Sequence, residues 1–294
     1  MRLRSRSGRS AQIIEDSVDT PAADPLGARL VELGELDADD VERIAEFQVR
    51  TGASFADAAV ELGLLTPDSV SRAAAEQAQT GLVRAGIEAV SPAVVAVFDP
   101  NDPLAAKLRA LRSTLFPPEA MRGSGLRILV LAGVDTDETP GVAANLAVLV
   151  AQLGYKGLLV DANFAAPTQH ALFGAENVDG VTSLLAGRPA DASVVATSAP
   201  HLDLLSTGPE LTALSETAER VPLVAQLRAL RLGHRFMIVD LGVQAPEMLA
   251  ALARGADGAL IVAERRRTSM LEMRSVLARL QANDVEVLGT ILAR

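Results

Sequence analysis

From Arg127 onward, short apolar runs alternate with segments of helical periodicity, and this alternation constrains the fold more than any other feature of the chain. Runs that are apolar at nearly every position are typical of parallel strands with both faces buried under helices. The strand-like runs are 128–132, 157–161, 202–206, 236–241, 259–263 and 285–292, and the helical patterns are 142–153, 181–186, 211–232, 246–254 and 268–282. The pattern therefore predicts an α/β domain over residues 104–294, with helices on both faces of a parallel sheet.

The composition limits what kind of protein this is. Its 294 residues are 49% hydrophobic, which is enough to bury the core of one large domain and one small one. The chain has no cysteine, which excludes disulfides and thiolate metal sites and is typical of a reducing cytoplasm. No apolar run approaches the roughly 20 residues that span a bilayer, and the net charge of −10 argues against nucleic acid as the main partner. We therefore expect a cytoplasmic protein.

The first 80 residues contain an internal repeat with an offset of 29 residues. Residues 26–48 align with residues 55–77, and each copy has the pattern of a short helix that ends at a glycine and a second helix capped by Asp37 or Thr66. Neither helical hairpin can bury its apolar face alone. We therefore expect residues 25–80 to form one small all-α module.

Two further segments flank this module. Residues 1–24 are polar and lack periodicity, which predicts a disordered arm. The basic start of the arm, residues 1–9, leaves a weak contact with anionic lipid or an acidic protein open as an alternative. Residues 81–103 are interpreted as a linker, and its apolar part, 90–100, is suited to lie against a domain surface.

The loop after the first strand of the α/β domain has the position of a phosphate-binding loop. A strand, a tight loop and a helix N-terminus form the frame of a nucleotide cradle, which uses glycines for close backbone approach, a Lys for the β- and γ-phosphates and a Ser or Thr for Mg²⁺. Here Thr136, Glu138, Thr139 and Pro140 occupy those places. Thr139, Pro140 and Gly141 are therefore the candidate nucleotide-binding positions of a degenerate loop.

The charge of this loop also disfavours phosphate. It contains Asp135, Asp137 and Glu138 and no Lys or Arg. One carboxylate about 4 Å from a phosphate oxygen costs on the order of 4 kcal/mol at an effective dielectric of 20, whereas the helix dipole returns roughly 0.3–1 kcal/mol. We interpret the segment as a solvated acidic loop at the start of a helix and expect no cofactor, with ATP and Mg²⁺ as the ligands if the site still functions.

Two strand-like runs end in an aspartate, Asp161 and Asp240. Acids at the carboxyl ends of parallel strands, near a phosphate loop, commonly hold Mg²⁺ or orient an attacking group, so both are candidate catalytic residues. The alternative is that each acid only caps the turn that follows it and is a relic. His170, His201 and His234 lack metal-ligand spacing, and we expect no metal site of their own.

The basic residues near these strands have two interpretations. Lys156, just before the second strand, is interpreted as a surface residue rather than a substitute phosphate ligand. The run 265–267 contains three arginines after the fifth strand. We expect this run to be solvated, and binding of an anion or an acidic partner is the alternative.

Several stretches occur in the order found in one known family. They are 90–95 (VSPAVV) and 108–115 (LRALRSTL), 143–148 (AANLAV), 158–174 (LLVDANFAAPTQHALFG), 180–187 (GVTSLLAG) and 236–240 (FMIVD). From residue 90 onward the chain resembles the cytoplasmic tyrosine autokinases associated with chain-length-determinant proteins in bacterial exopolysaccharide synthesis, which are deviant-Walker P-loop ATPases related to the ParA/MinD group. The repeat is similar to the N-terminal module of type II secretion and pilus ATPases. The resemblance implies a P-loop NTPase-like fold.

The chain departs from this family at the positions that carry its chemistry. Thr139 stands where the family has the P-loop Lys or Arg, and Pro140 stands in place of the Mg²⁺-binding Ser or Thr. Asn163, Ala165 and Ala166 stand where the family has an Asp and basic residues. Residues 241–243 replace a Thr-Pro-Pro-like run. Ala106 replaces the Glu that begins a Glu-x-x-Arg-x-x-Arg motif. No tyrosine cluster follows the last strand. The departures therefore affect the residues that bind the nucleotide, those that bind the metal, and the tyrosines that accept the phosphate.

These departures lead to one main hypothesis and two alternatives. The main one is a degenerate, inactive tyrosine-kinase-like protein that binds a polysaccharide co-polymerase (the chain-length determinant) or an active kinase paralogue, and that reaches the inner face of the cell membrane only through that partner. The first alternative is a divergent but active ATP-dependent kinase or ATPase that uses Asp161, Asp240 and a cation from a neighbouring subunit. The second is a ParA/MinD-like localisation factor, which ranks last because no basic amphipathic C-terminal helix is present.

Overall fold

A seven-stranded sheet forms the centre of the part of the chain that the computed structural model describes. That part comprises residues 35–66, 90–99, 101–117, 125–188, 193–230 and 233–293, with the single positions 27, 30, 31, 69 and 121. The predicted arm at 1–24, most of the second helix of the second repeat, and the first part of the predicted linker lie outside it.

The sheet is parallel except at one edge. Its strands are Arg127–Val134 (β1), Gly157–Asp161 (β2), Val194–Ala196 (β3), Leu202–Leu205 (β4), Phe236–Asp240 (β5), Gly258–Glu264 (β6) and Val287–Ala293 (β7). They are arranged in the order β3-β4-β2-β5-β1-β6-β7, and β3 runs antiparallel to β4. The prediction of a mainly parallel sheet is confirmed.

Helices cover both faces of this sheet. In chain order the described helices are Ala38–Thr51 (α1), Phe55–Glu61 (α2), Val95–Phe98 (α3), Pro103–Leu115 (α4), Thr139–Ala151 (α5), Gln169–Leu172 (α6), Val181–Leu185 (α7), Leu214–Arg220 (α8), Leu223–Ala229 (α9), Pro246–Ala253 (α10) and Met270–Gln281 (α11). One apolar cluster joins the sheet to α4 and α5, and the other joins it to α7–α11. The two-layer covering predicted from the doubly apolar strands is confirmed.

Three of the differences from the sequence prediction have a clear physical reason. The helix predicted over 211–232 is two helices, α8 and α9, because the residue before Pro222 is pushed into extended backbone and Val221 has φ −113° and ψ 99°. The helix predicted from residue 142 begins three residues earlier, since Pro140 is tolerated in a first turn. Strand β3 was not predicted, because a three-residue run carries too little periodicity.

Helix α5 is buried on nearly all sides, and the segment before α4 packs across it. Asn145 of α5 accepts a hydrogen bond from the Ala96 N–H through Oδ1 at 2.8 Å, and its Nδ2 donates to the Ala93 carbonyl at 3.1 Å and the Gly141 carbonyl at 2.8 Å. Arg112 of α4 donates to the Leu149 carbonyl at 2.8 Å. The apolar part of the predicted linker therefore lies against the α/β domain, as expected.

The N-terminal helices contact the opposite end of the sheet from the carboxyl ends of its strands. Asp37 is the N-cap of α1, as predicted, and it forms a capping box with Asp40. The hydroxyl of Tyr155, just before β2, donates to Asp57 Oδ2 of α2 at 2.6 Å, and Arg235, just before β5, donates to the Gly52 carbonyl at 3.1 Å. Burial and the Asp57 carboxylate both raise the pKa of Tyr155. Polar contacts thus join α1 and α2 to the α/β domain.

No helix in the described residues combines the length and the apolar character needed to cross a bilayer.

Candidate functional site

The candidate residues converge at the carboxyl ends of three neighbouring strands, β2, β5 and β1. Asp161 ends β2, Asp240 ends β5, and the two are direct register partners. The loop 135–138 leaves β1 and leads into the first turn of α5, which contains Thr139, Pro140 and Gly141. The structure therefore brings together all five candidate site residues predicted from the sequence. They lie at the edge where parallel sheets place their ligand crevice.

The first turn of α5 is filled by its own side chains. Thr139 is fully buried, and its hydroxyl has no hydrogen-bond partner among the described residues. The Thr139 hydroxyl lies so close to Gly133 of β1 that a Cβ atom at Gly133 would collide with it. No long cationic side chain extends from this turn. The space beside the β1 backbone is filled by the short, neutral side chain of Thr139.

Asp161 is held by the backbone of the segment that follows it. Its Oδ1 accepts from the Asn163 N–H at 3.1 Å, and its Oδ2 accepts from the Thr168 and Gln169 N–H groups at 2.9 Å each. These bonds match the capping interpretation of a strand-end aspartate. Asp161 is fully buried, so its carboxylate stabilises the 162–169 turn from inside the protein.

Asp240 is bound to an amide that the sequence did not single out. Its Oδ1 accepts from the Gly242 N–H at 2.9 Å, and its Oδ2 accepts from Gln169 Nε2 at 2.8 Å. The same Nε2 donates to the Pro140 carbonyl at 3.0 Å, while Oε1 of Gln169 has no partner among the described residues. Gln169 thus ties the end of β5 to the first turn of α5. A single uncharged residue has no periodicity or charge pattern that would have revealed this role.

Burial sets the protonation of the two acids. Removal from water, together with the nearby Asp161 carboxylate, raises the pKa of Asp240 to about 7. Burial also raises the pKa of Asp161, but three backbone N–H groups oppose that change. Because Asp161 has the better set of donors, it holds the negative charge of the pair, and Asp240 takes up a proton near neutral pH.

A pocket of about 340 Å³ opens above these acids. It is lined by Thr136, Asp137, Pro140, Asn163, Ala165, Ala166, Thr168, Gly242 and Val243. Asp137 is the one charged residue in that lining. Gly242 has φ +57°, and a Cβ atom there would collide with the Asn163 amide, so only glycine fits. The pocket is therefore neutral to acidic, and neither Asp161 nor Asp240 lines it.

Arg267 lies over the acidic loop. From the turn after β6, its Nε lies 3.4 Å from Asp135 Oδ1 and its Nη1 lies 3.4 Å from Asp137 Oδ2 and from Glu264 Oε2. The side chain is 44% exposed, so these are surface ion pairs. The run 265–267 is solvated as expected, but its third arginine also pairs with the loop that the sequence left without a cation.

Lys156 is far from this site. It precedes β2, at the amino end of the strand, and its Nζ lies 3.1 Å from Asp203 Oδ2. The same carboxylate is 2.8 Å from His234 Nε2. The interpretation of Lys156 as a surface residue is confirmed, because its side chain is about half exposed and paired with Asp203.

Removal of the Arg267 side chain should loosen the acidic loop while leaving the fold intact. In Arg267→Ala we expect amide hydrogen exchange at residues 135–138 to rise roughly two- to fivefold, since exposed ion pairs contribute under about 1 kcal/mol. Exchange in β1 and β5 should not change. Arg265→Ala removes an exposed arginine from the same turn and is the matched control. Equal loop protection in the two variants would show that the Arg267 pairs do not order the loop.

Comparison with known proteins identifies relatives of this chain in sequence and in structure. No protein-family model matches the chain. The Ralstonia nicotianae protein named "Putative tyrosine-protein kinase EpsB" is 34% identical over 199 residues, which are 65% of this chain and 26% of that protein. The kinase domain of the Escherichia coli tyrosine kinase ETK superimposes with a TM-score of 0.60 at 26% identity, over 68% of this chain and 78% of that domain. The homologues of this chain are bacterial tyrosine-protein kinases.

These relatives confirm the resemblance to bacterial tyrosine kinases that was found in the sequence. The chimerical protein CapA2B2 is a further structural relative, with a TM-score of 0.58 and 26% identity over 69% of this chain and 89% of that one. The chain spans about a quarter of the length of the EpsB proteins that it matches.

Proposed function

We propose that this chain is a degenerate, catalytically inactive member of the tyrosine-kinase family that acts by binding, as a regulator or scaffold in exopolysaccharide biosynthesis and export. The observation that carries the proposal is the pocket at the carboxyl ends of β1, β2 and β5. It keeps the position and size of a ligand site, but its lining has one charged residue, Asp137, and that residue is an acid.

ATP and Mg²⁺ do not fit the residues present. The first turn of α5 holds Thr139 and Pro140, so it offers neither a cation for the phosphates nor a hydroxyl at the second position for the metal. Arg267 contacts the outer side of the loop, where Asp135 and Asp137 already pair with it. Since one arginine stands beside the three carboxylates of Asp135, Asp137 and Glu138, a triphosphate would still meet net negative charge, at a cost on the order of 4 kcal/mol for each close oxygen pair.

Asp240 is poorly suited to hold a metal ion. Both of its carboxylate oxygens accept hydrogen bonds, from Gly242 N–H and from Gln169 Nε2. Burial raises its pKa to about 7, so part of the population is protonated at neutral pH. A carboxyl that must lose a proton and two hydrogen bonds before it can bind Mg²⁺ supports an inactive site.

The pathway and partners follow from the resemblance in sequence. The stretches shared with the exopolysaccharide autokinases support a role beside a polysaccharide co-polymerase or an active kinase paralogue. In this proposal the α/β domain binds a cytoplasmic segment of that protein, and the N-terminal helices recruit a second partner. Both tasks rely on a preserved fold and neither requires nucleotide.

Calorimetric titration with ATP·Mg²⁺ tests the proposal. We expect no saturable heat at micromolar to low millimolar ATP from the full chain. The ETK kinase domain in the same buffer is the positive control. Micromolar affinity of this chain for ATP·Mg²⁺ would reject the inactive-site proposal.

The second candidate is a divergent active kinase or ATPase. The adjacency of Asp161 and Asp240 favours it, because both strand-end acids are retained beside an open pocket. In that case a neighbouring subunit must supply the missing cation. Turnover that appears with a co-polymerase segment and is lost in Asp240→Ala would support this candidate, and absence of turnover under both conditions would exclude it.

A further inference from the structure

Asn163 presents a hydrogen-bond donor to the pocket at the carboxyl ends of β1, β2 and β5. The residue lines the pocket and is 6% exposed. Its Oδ1 accepts from the Ala166 N–H at 3.3 Å, which fixes the orientation of the amide, and its Nδ2 has no acceptor among the described residues. Nδ2 is not enclosed by protein atoms either. Because the residue is buried on its other sides, the amide N–H₂ group faces into the pocket.

Thr136 adds a second donor to the same pocket. It is 3% exposed and its Oγ1 accepts from the Glu138 N–H at 3.2 Å, but its hydroxyl hydrogen has no acceptor in the part of the chain that the structure describes. Thr136 also lines the pocket. Buried polar side chains are nearly always paired, so two donors without acceptors around one cavity indicate a ligand that carries acceptor groups.

Asp137 limits the charge of that ligand. It is the one charged residue in the pocket lining, and Arg267 donates to its Oδ2, which leaves Oδ1 without a donor from the described residues. An anion would meet this carboxylate where no cation lines the pocket. A lysine or arginine side chain would pair with Asp137, but it carries donors only and would leave the Asn163 and Thr136 donors unmatched. The ligand is therefore uncharged and has groups that both donate and accept, as hydroxyls do.

The rest of the lining is mostly small and apolar. Pro140, Ala165, Ala166 and Val243 present C–H groups, and the cavity of about 340 Å³ lies at the lower end of the roughly 300–1,000 Å³ of small-molecule pockets. A sugar ring matches this combination, because its hydroxyls project from the ring edge and its faces are C–H surfaces. Adjacent hydroxyls can donate to a carboxylate and accept from an amide at the same time.

We propose that this pocket binds an uncharged sugar of one or two rings. Sugar hydroxyls accept from Asn163 Nδ2 and from the Thr136 hydroxyl and donate to Asp137, while a ring face packs on Ala165 and Ala166. Among the described residues no aromatic side chain lines the pocket, so stacking adds nothing and we expect a dissociation constant in the millimolar range. The inference rests on the proposed function in one respect, since the pocket must be free of nucleotide.

Ligand-observed saturation-transfer NMR of the full chain tests the proposal. The probes are D-glucose, D-galactose and D-mannose, each compared with its uronate, in which a carboxylate replaces the CH₂OH group. We expect saturable binding of at least one sugar and at least about tenfold weaker binding of its uronate. Absence of saturable binding by all three sugars, or equal binding of a sugar and its uronate, would overturn the proposal.

Two variants with matched controls locate the site. Ala166 is exposed, and Ala166→Leu places a larger side chain in the pocket, so sugar binding should weaken at least about tenfold, whereas Ala110→Leu at an exposed position of α4 should leave it unchanged. Asp137→Asn should weaken the sugar roughly threefold and strengthen the uronate, because the charge is removed and an acceptor oxygen is kept. Asp135→Asn changes the same loop outside the lining and is its control. Unchanged sugar binding in Ala166→Leu, or an unchanged ratio of sugar to uronate affinity in Asp137→Asn, would reject the sugar site.

A competition titration separates this proposal from the inactive-site proposal. If ATP·Mg²⁺ displaces the sugar, the pocket is supported as the sugar site while the inactive-site proposal fails. If neither ATP·Mg²⁺ nor any of the three sugars binds, the inactive-site proposal stands and the sugar site is rejected.

Discussion

Replacement of Asp240 by asparagine is expected to stabilise the chain by about 2–4 kcal/mol above pH 7. The physical reason is the raised pKa of this carboxyl, from an ordinary 3.8 to about 7. The folded state keeps a proton on Asp240 that the unfolded chain releases above about pH 4. The free energy of unfolding therefore falls as the pH rises from about 4 to about 7, and this contribution is constant at higher pH. Asparagine carries no charge at any pH, so the unfolding free energy of the variant does not fall in this way.

The geometry at residue 240 favours the substitution. The Gly242 N–H can donate to the asparagine oxygen as it does to Asp240 Oδ1, and rotation of the Gln169 amide presents Oε1, which lacks a partner among the described residues, to the new N–H₂ group. The rotation gives up the bond from Gln169 to the Pro140 carbonyl, which lowers the gain.

Urea unfolding at pH 5, 6, 7 and 8 measures this effect. The difference in unfolding free energy between Asp240→Asn and the unmodified chain should grow from pH 5 to pH 7 and then stay level. Asp39→Asn, at an exposed position of α1, is the control and should show no such growth. A difference that is independent of pH would mean that Asp240 is charged throughout this range in the folded protein.

Replacement of Asn145 by alanine is expected to destabilise the chain by roughly 3 kcal/mol. The Asn145 side chain makes three hydrogen bonds to backbone groups, and the residue is fully buried. Without it, the Ala96 N–H and the Ala93 carbonyl lose the bonds that hold the 93–96 segment on α5. Each buried group left without a partner costs about 1–3 kcal/mol. The substitution should loosen the packing of α3 on α5 as well as lower the global stability.

Denaturant unfolding and hydrogen exchange together measure this loss. The midpoint should shift to lower urea with little change in slope, and exchange at residues 95–98 should rise more than exchange in β5. Asn283→Ala removes an exposed asparagine bond to the Arg279 carbonyl and is the control, with an expected cost under about 1 kcal/mol. A cost below about 1 kcal/mol for Asn145→Ala would mean that water replaces the amide in this network.

The architecture was predictable because it depends on local patterns. Strands that are apolar at every position can be recognised one at a time, and helices between them leave few ways to connect a parallel sheet. The adjacency of Asp161 and Asp240 followed from the same reasoning, since parallel strands end at one edge. The domain boundaries proposed for the N-terminal module and the linker remain predictions.

The contacts that shape the site were not predictable in this way. Gln169 reaches Asp240 across 71 positions of sequence, and Arg267 reaches Asp137 across 130. Neither contact can be recognised from periodicity, because each joins segments that come together only in the folded structure. The break at Pro222 was visible in the sequence, but the apolar pattern on either side of it favoured one long helix. Local signals therefore identified the strands and the acids, and three-dimensional packing decided their surroundings.

The contact between Tyr155 and Asp57 makes the protein its own optical probe. The chain has one tyrosine and no tryptophan, so its ultraviolet emission comes from a single phenol, placed between α2 and the start of β2. Separation of the N-terminal helices from the sheet would change the hydrogen bonding and the solvation of that phenol together. Ligands that lack tryptophan and tyrosine can therefore be screened for their effect on this contact without any dye or label.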